Sequence, residues 1–341
     1  MLTEKENLLM TYRGEVPEWI PVNRMGTDVS GQHPPSVQFR PTLLCPHQER
    51  GGGPDIWGVN YIPTESTGNS LIPDNSEFIL SIDNLRNWRD IIKAPDFSGV
   101  NWEKQVKDQI EKSGIDRTQT AMTLSLHFGY FQLLMSFMGF EDGLIALYEE
   151  PELVHELLEY LSEFYMTIAD KVIDLFDPEV LYVLDDTASW SGTFISNDMY
   201  NEFLVPHHSK YIKRGLERNL FISMHNCGKC ENYVEIFREM GINIWDPAQS
   251  CNDLKAIKSK YGNKLVITGG WDARGRLLEP DVTEEELRQA VRNTIDALAP
   301  GGGFCWSGGF LGALNDPEPV RKSAIVRDEA TKYGRTFYRN A

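Results

Sequence analysis

The segment His225-Asn-Cys-Gly-Lys-Cys230 places an imidazole and two thiols close together, and a further cysteine, Cys305, stands far downstream. Imidazole nitrogen and thiolate sulfur are donors that zinc favours, and three protein ligands with a fourth position open is the arrangement of a catalytic zinc. His225, Cys227 and Cys305 fit that description, because two thiolates and a neutral imidazole cancel the double charge of the ion. Two other readings of the same residues stay open. Cys227-x2-Cys230, with Cys251 nearby, has the spacing of a structural zinc knuckle, although no second Cys-x2-Cys pair accompanies it. Cysteines also serve as small inert core residues that bind nothing.

Carboxylates fall at comparable places. Asp185 and Asp186 follow Val180-Leu-Tyr-Val-Leu184, Asp246 follows Asn243-Ile-Trp245, and Asp272 follows Gly269-Gly-Trp271. Asp185 and Asp186 are the candidate catalytic pair, either as acid/base groups or as the source of a fourth metal ligand. Asp246 and Asp272 serve equally well as caps of the helices that follow. His127 ends another apolar run and reads as a scaffold residue or a pocket lining, and His207 and His208 follow Pro206 on a helical pattern in a structural role. Trp57, Trp190, Trp245, Trp271 and Trp306 either stack on an aromatic ligand or pack the rim of the fold.

These side chains need elements that bring them to one place. Short β-rich runs alternate with long helical patterns, the signature of parallel strands joined by crossover helices. The runs predict strands over 20–25, 121–126, 180–184, 220–224, 242–245, 264–268 and 303–306. That is one short of a closed (β/α)8 barrel, and the stretch 26–90 is where the missing strand is expected. Helices are expected over 152–176, where Leu153, Leu157, Leu158, Leu161, Phe164 and Ile168 mark one buried face, and over 197–218, 231–240, 283–298 and 317–338. In a (β/α)8 barrel, catalytic groups gather at the carboxyl ends of the strands, which is where the histidine, cysteines and carboxylates fall. Gly51-Gly-Gly-Pro54 reads as a surface turn or a loop over that mouth. The whole chain, 1–341, is expected to be one barrel domain, with an irregular segment over 1–120 and regular β/α units over 121–341.

Composition narrows the function classes. With 33 basic and 50 acidic residues, the formal charge of −17 repels nucleic acid and anionic lipid alike. No apolar stretch has the length of a membrane helix, and the start Met1-Leu-Thr-Glu-Lys-Glu-Asn7 lacks a basic region followed by an apolar one, so a cytoplasmic location is expected. Five scattered cysteines give no disulfide framework, which leaves free thiols or metal ligands.

Several strings, taken in order, resemble the uroporphyrinogen decarboxylase superfamily, and within it the corrinoid-dependent methyltransferase branch. They are Arg13-Gly-Glu-Val-Pro17, Asp55-Ile-Trp-Gly-Val59, Gly139-Phe-Glu-Asp-Gly143, Asp185-Asp186, His225-Asn-Cys-Gly228, Tyr261-Gly-Asn-Lys264 and Gly301-Gly-Gly-Phe-Cys305. The resemblance implies a barrel and a catalytic zinc on His225, Cys227 and Cys305. It also implies methyl transfer between a small methylated substrate and the cobalt of a corrinoid (cobalamin) carried by a partner protein. The tryptophans tilt the substrate towards a methoxylated aromatic, as in O-demethylation. The decarboxylases of the superfamily grip a polycarboxylate with an arginine-rich amino-terminal segment, and the corresponding stretch here, Val22-Asn-Arg-Met-Gly26, has only Arg24. A lyase acting on a polycarboxylate and a non-catalytic metal-binding barrel are the rival readings. The sequence leaves the oligomeric state open, a homodimer included.

Overall fold

The computed structural model describes residues 2–23 and 33–339. The chain opens with the helix Glu4–Tyr12, whose Thr3 and Glu6 form a reciprocal cap. Next come β1 (Ser36–Phe39) and a small antiparallel sheet of β2 (Gly53–Pro54), β3 (Asn60–Thr64) and β4 (Ser70–Pro73). The remaining strands are β5 (Ala121–Ser125), β6 (Val180–Leu184), β7 (Phe221–His225), β8 (Ile244–Ala248), β9 (Val266–Gly269) and β10 (Phe304–Cys305), separated by helices. The large sheet is parallel throughout, curled, and ordered β1-β5-β6-β7-β8-β9-β10. Every residue of β5 is buried, the pattern of a strand covered on both faces. No helix among the described residues is long and apolar enough to cross a membrane.

β1 is the strand expected somewhere in 26–90. It hid from the sequence because it has four residues set between Pro35 and Pro41, only Phe39 of them fully buried, and no apolar alternation. The strand expected over 20–25 reduces, among the described residues, to a single parallel bridge between Val22 and Trp306. Trp306 N–H donates to the Pro21 carbonyl and Asn23 N–H to the Trp306 carbonyl, both at 2.8 Å. Arg24 and Met25 lie outside the described residues. The helix expected over 197–218 is interrupted by a π-helical turn, Tyr200–Leu204, before Val205–Leu216. Pro206 is the cause, since its ring has no N–H and crowds the preceding turn. Tyr130–Glu149, a helix the sequence pattern did not reveal, is apolar on nearly all sides and kinked at Gly139.

Two features aim the fold at one face. Leu8 and Tyr12 of the first helix pack against Ala121, Val180, Ile244 and Val266, at or next to the amino ends of their strands, and so plug that end of the sheet. The carboxyl ends stay free for chemistry. There Asp185, fully buried, accepts from the amides of Phe131 and Gln132 at 3.0 Å each and bonds His208 Nε2 at 3.1 Å. Gly129, the residue before the helix, offers no side chain for the cap. A Cβ there would meet Asp185 Oδ1 at 2.5 Å, so the carboxylate takes the capping role from a neighbouring strand.

Asp185→Ala strands two helix amides and a buried imidazole at once. It is expected to lower stability by about 3 kcal/mol, read as a drop in the urea midpoint. A loss below about 1 kcal/mol, the size of an ordinary surface change, would show that the carboxylate does not anchor the helix.

Candidate metal centre

The register of the two central strands creates the site. Leu184 pairs with His225, and Asp185 N–H donates to the His225 carbonyl at 3.0 Å. Asp186 and Cys227, each just beyond its strand, therefore rise side by side. Cys227 N–H donates to Asp186 Oδ1 at 2.8 Å, and Gln132 Nε2 holds Oδ2 of the same carboxylate at 3.0 Å. Cys227 Sγ lies 3.4 Å from His225 Nε2, which lies 3.5 Å from Asp186 Oδ1. One donor atom from each of Asp186, His225 and Cys227 falls within 4.8 Å of the others.

Second contacts orient the imidazole. His225 Nδ1 is 2.6 Å from Tyr182 Oη, which is 3.4 Å from the Asp246 carbonyl. With the proton on Nδ1, the ring donates to Tyr182 and Tyr182 donates onward, leaving the Nε2 lone pair facing Cys227 and Asp186. Burial lowers the pKa of His225 against the opposing pull of Asp186, which favours the neutral ring a metal needs. Burial raises the Tyr182 hydroxyl well above its ordinary range, so it remains a hydrogen-bonding group. The Cys227 thiol is also raised by burial, with the Asp186 carboxylate adding to the effect, so it is a thiol until a cation compensates the charge.

The loop after Cys227 is fixed by close approach. Gly228 has φ +89°, and a Cβ there would meet the carbonyl oxygens of Ala188 and Ser189 at 2.6 Å. Its N–H donates to Gln249 Oε1 at 2.8 Å, and buried Asn252 ties the Cys230 and Glu231 amides to the Gly228 carbonyl. Asn226 bonds Thr187 through both ends of its amide.

Of the expected ligands, His225 and Cys227 come together, and Asp186 joins them. Cys305 does not. β10 holds it opposite Thr268, and its side chain packs with Tyr12, Ile244 and Val266 in the layer next to the amino-terminal plug. Burial raises this thiol too, with the Asp246 carboxylate next in effect. Cys230 is fully buried and turns its sulfur to the Asn226 carbonyl at 3.5 Å, outside the donor set. Asp185 serves the scaffold as described above.

The Asp246 carboxyl has no hydrogen-bond partner among the described residues, and burial raises it to about 7. Its charge is felt by Tyr12, Tyr182, Cys227 and Cys305. Asp272 is a surface partner of Arg274. His127 sits at the end of β5 with a left-handed backbone, φ 56°, uncommon for a residue with a side chain. His207 is buried against Tyr130. Trp57, Trp245 and Trp306 are core, Trp271 packs on Trp306 and Phe310, and Trp190 lies exposed beneath Arg274. Sequence reasoning missed Tyr182 and Gln132. Strand alternation from Leu184 was the available signal for Tyr182, whereas Gln132 belongs to the unpredicted helix.

No curated protein sequence matches the chain. Among solved structures, a methyltransferase from Methanosarcina mazei superposes with a TM-score of 0.60 over 96% of this chain and 99% of that one. At 15% identity this is a likeness of fold. The family model for uroporphyrinogen decarboxylase (URO-D) matches residues 109–311, a span that carries β5 to β10 and all three clustered donors. The chain therefore belongs to the uroporphyrinogen decarboxylase family.

Proposed function

We propose that this chain is a zinc-dependent methyltransferase. In this reading it moves a methyl group between a small methylated substrate, a methoxylated aromatic by preference, and a corrinoid carried by a separate protein. The observation that carries the proposal is the set Asp186, His225 and Cys227 at the carboxyl ends of two adjacent strands. Ligands about 2.0 to 2.3 Å from a tetrahedral zinc stand about 3.3 to 3.8 Å apart. The 3.4 Å between sulfur and imidazole and the 3.5 Å between imidazole and carboxylate agree with that requirement. One thiolate and one carboxylate also balance the charge of the ion, and a fourth position is left for substrate. Cys305, which the family pattern assigns to the same ion, is left out of this set because its packing holds it beside Tyr12.

Bound there, zinc supplies Lewis acidity towards an ether or hydroxyl oxygen. The protein's part is orientation. Tyr182 keeps Nε2 of His225 as the acceptor, Gln132 and the Cys227 amide fix the Asp186 carboxylate, and Gly228 lets the loop turn tightly after Cys227. The proposal extends to the architecture. The Val22 bridge to Trp306 supports an eighth strand that closes the sheet into a (β/α)8 barrel. A fold likeness to a methyltransferase is further support.

The family's own name favours the second reading, a metal-independent decarboxylase of a polycarboxylate. Metal content separates the two. Purified protein is expected to carry about one zinc per chain by elemental analysis, since a catalytic site binds a single ion. Cys227→Ser and His225→Ala should lose it, while Cys305→Ser and Cys230→Ser keep it. Loss of zinc in Cys305→Ser would return that cysteine to the ligand set. A zinc-free wild-type chain that releases CO2 from a porphyrinogen would establish the lyase instead.

Transfer itself is tested with methoxylated aromatics and a corrinoid protein reduced to its cob(I) state. Formation of methyl-cobalt absorbance is expected with the wild type. Cys227→Ser should slow it by about 100-fold or more, since replacing even a residue that only orients a metal ligand costs about 10- to 100-fold. No methyl-cobalt from any methoxylated aromatic would overturn the substrate assignment.

A further inference from the structure

The mouth holds a second polar group that the metal reading does not use. Arg40 follows β1 directly and is partly buried, yet its guanidinium meets no carboxylate, carbonyl or ring among the described residues. Other partly buried arginines are engaged: Arg214 lies on Asp170, Arg218 on Asp174 and Arg288 on Asp328. Removing a guanidinium from bulk water without giving it an anion is unfavourable, so an arginine with no such partner among the described residues is open to an anionic ligand. Asp55, the acid of the neighbouring segment, is committed to its own turn, accepting from the amides of Trp57 and Val59.

Two imidazoles lie within electrostatic reach of the guanidinium, one of them just beyond the strand paired with β1. His47 is only 6% exposed, stacks on Tyr61 at a centroid distance of 4.3 Å, and has a buried Nδ1 without a hydrogen-bond partner. His127 is held by its left-handed backbone at the end of β5, the strand that pairs with β1. Burial pushes both imidazoles down to about 4, and the Arg40 charge acts on each in the same direction. Both rings are thus neutral near pH 7, able to donate one hydrogen bond each while Arg40 supplies the charge. His225 also acts on His127, which places this group within electrostatic reach of the donor set.

We infer that Arg40, with His47 and His127 in the same part of the mouth, is a recognition subsite for a carboxylate on the small substrate. A planar guanidinium matches a carboxylate in two parallel hydrogen bonds. Resting on the methyl-transfer reading, this makes the preferred donor a methoxyarene that carries a carboxylate, its anionic end on Arg40 and its ether end towards Asp186, His225 and Cys227. A chain of net charge −17 gains selectivity from such a point, because an anion is otherwise repelled by the whole surface.

The test is calorimetric titration of the full chain at pH 7 with 4-methoxybenzoate and with its uncharged counterpart 4-methoxybenzamide. The acid is expected to bind about tenfold or more tightly than the amide, the scale of a charge-assisted hydrogen-bond pair. Arg40→Gln should erase that preference, and Arg40→Lys should keep part of it, with unchanged melting temperatures excluding a folding defect. Equal affinity for the two compounds, no binding of either, or a preference that survives Arg40→Gln overturns the inference. So does Arg40-dependent binding of inorganic phosphate without preference for the acid over the amide. The titration needs no corrinoid and no turnover, so a chain that selects the acid through Arg40 but transfers no methyl group refutes only the proposed function.

Discussion

The pairing of β6 with β7 is the constraint on which the rest of the site depends. Leu184 opposite His225 sets Asp186 beside Cys227, and the Asp186 carboxylate then accepts the Cys227 amide. Because successive side chains of a strand alternate faces, a slip of one residue between these strands would put His225 and Tyr182 on opposite faces and dissolve the cluster. Much of the surrounding structure holds this register. Asp185 binds the helix over 130–149 and His208, Asn226 binds Thr187, and Gly228 nests against the carbonyls of Ala188 and Ser189.

The same pair of aspartates shows how neighbouring residues divide labour. Asp185 points to one side of β6, fully buried, and spends its charge on a helix amino terminus. Asp186 points to the other, partly open, and spends its charge on the donor cluster. The histidines divide likewise: His208 belongs to the scaffold with Asp185, and His225 to the site with Tyr182. Polar residues at strand ends are therefore either supports or tools, and the pleat decides which.

Much of this was legible in the sequence. Six strands of the large sheet lie where apolar runs end in polar residues, and the spacing of His225 and Cys227 pointed to two of the three donors of the candidate site. What the sequence could not carry was depth within the sheet. Cys305 ends a short run just as His225 does. Parallel strands are staggered, however, so equal distance from a strand's end does not mean equal height, and Cys305 falls in the layer under Tyr12. β1 was illegible for want of a pattern in four residues, and the helix over 130–149 because an element buried on nearly all sides has no polar face to mark its period. The strand expected over 20–25 contributes one bridge among the described residues, with Pro21 unable to donate to a ladder.

The number of sulfur atoms around the bound ion distinguishes the proposed donor set from its rivals. X-ray absorption at the zinc edge of the metal-loaded wild type measures it, because sulfur neighbours lie at about 2.3 Å and nitrogen or oxygen neighbours at about 2.0 Å. One sulfur, from Cys227, with otherwise nitrogen and oxygen neighbours is the result the proposed site predicts. Two or more sulfurs would mean that Cys305, Cys230 or Cys251 reaches the ion, and would contradict the arrangement of Asp186, His225 and Cys227 described above.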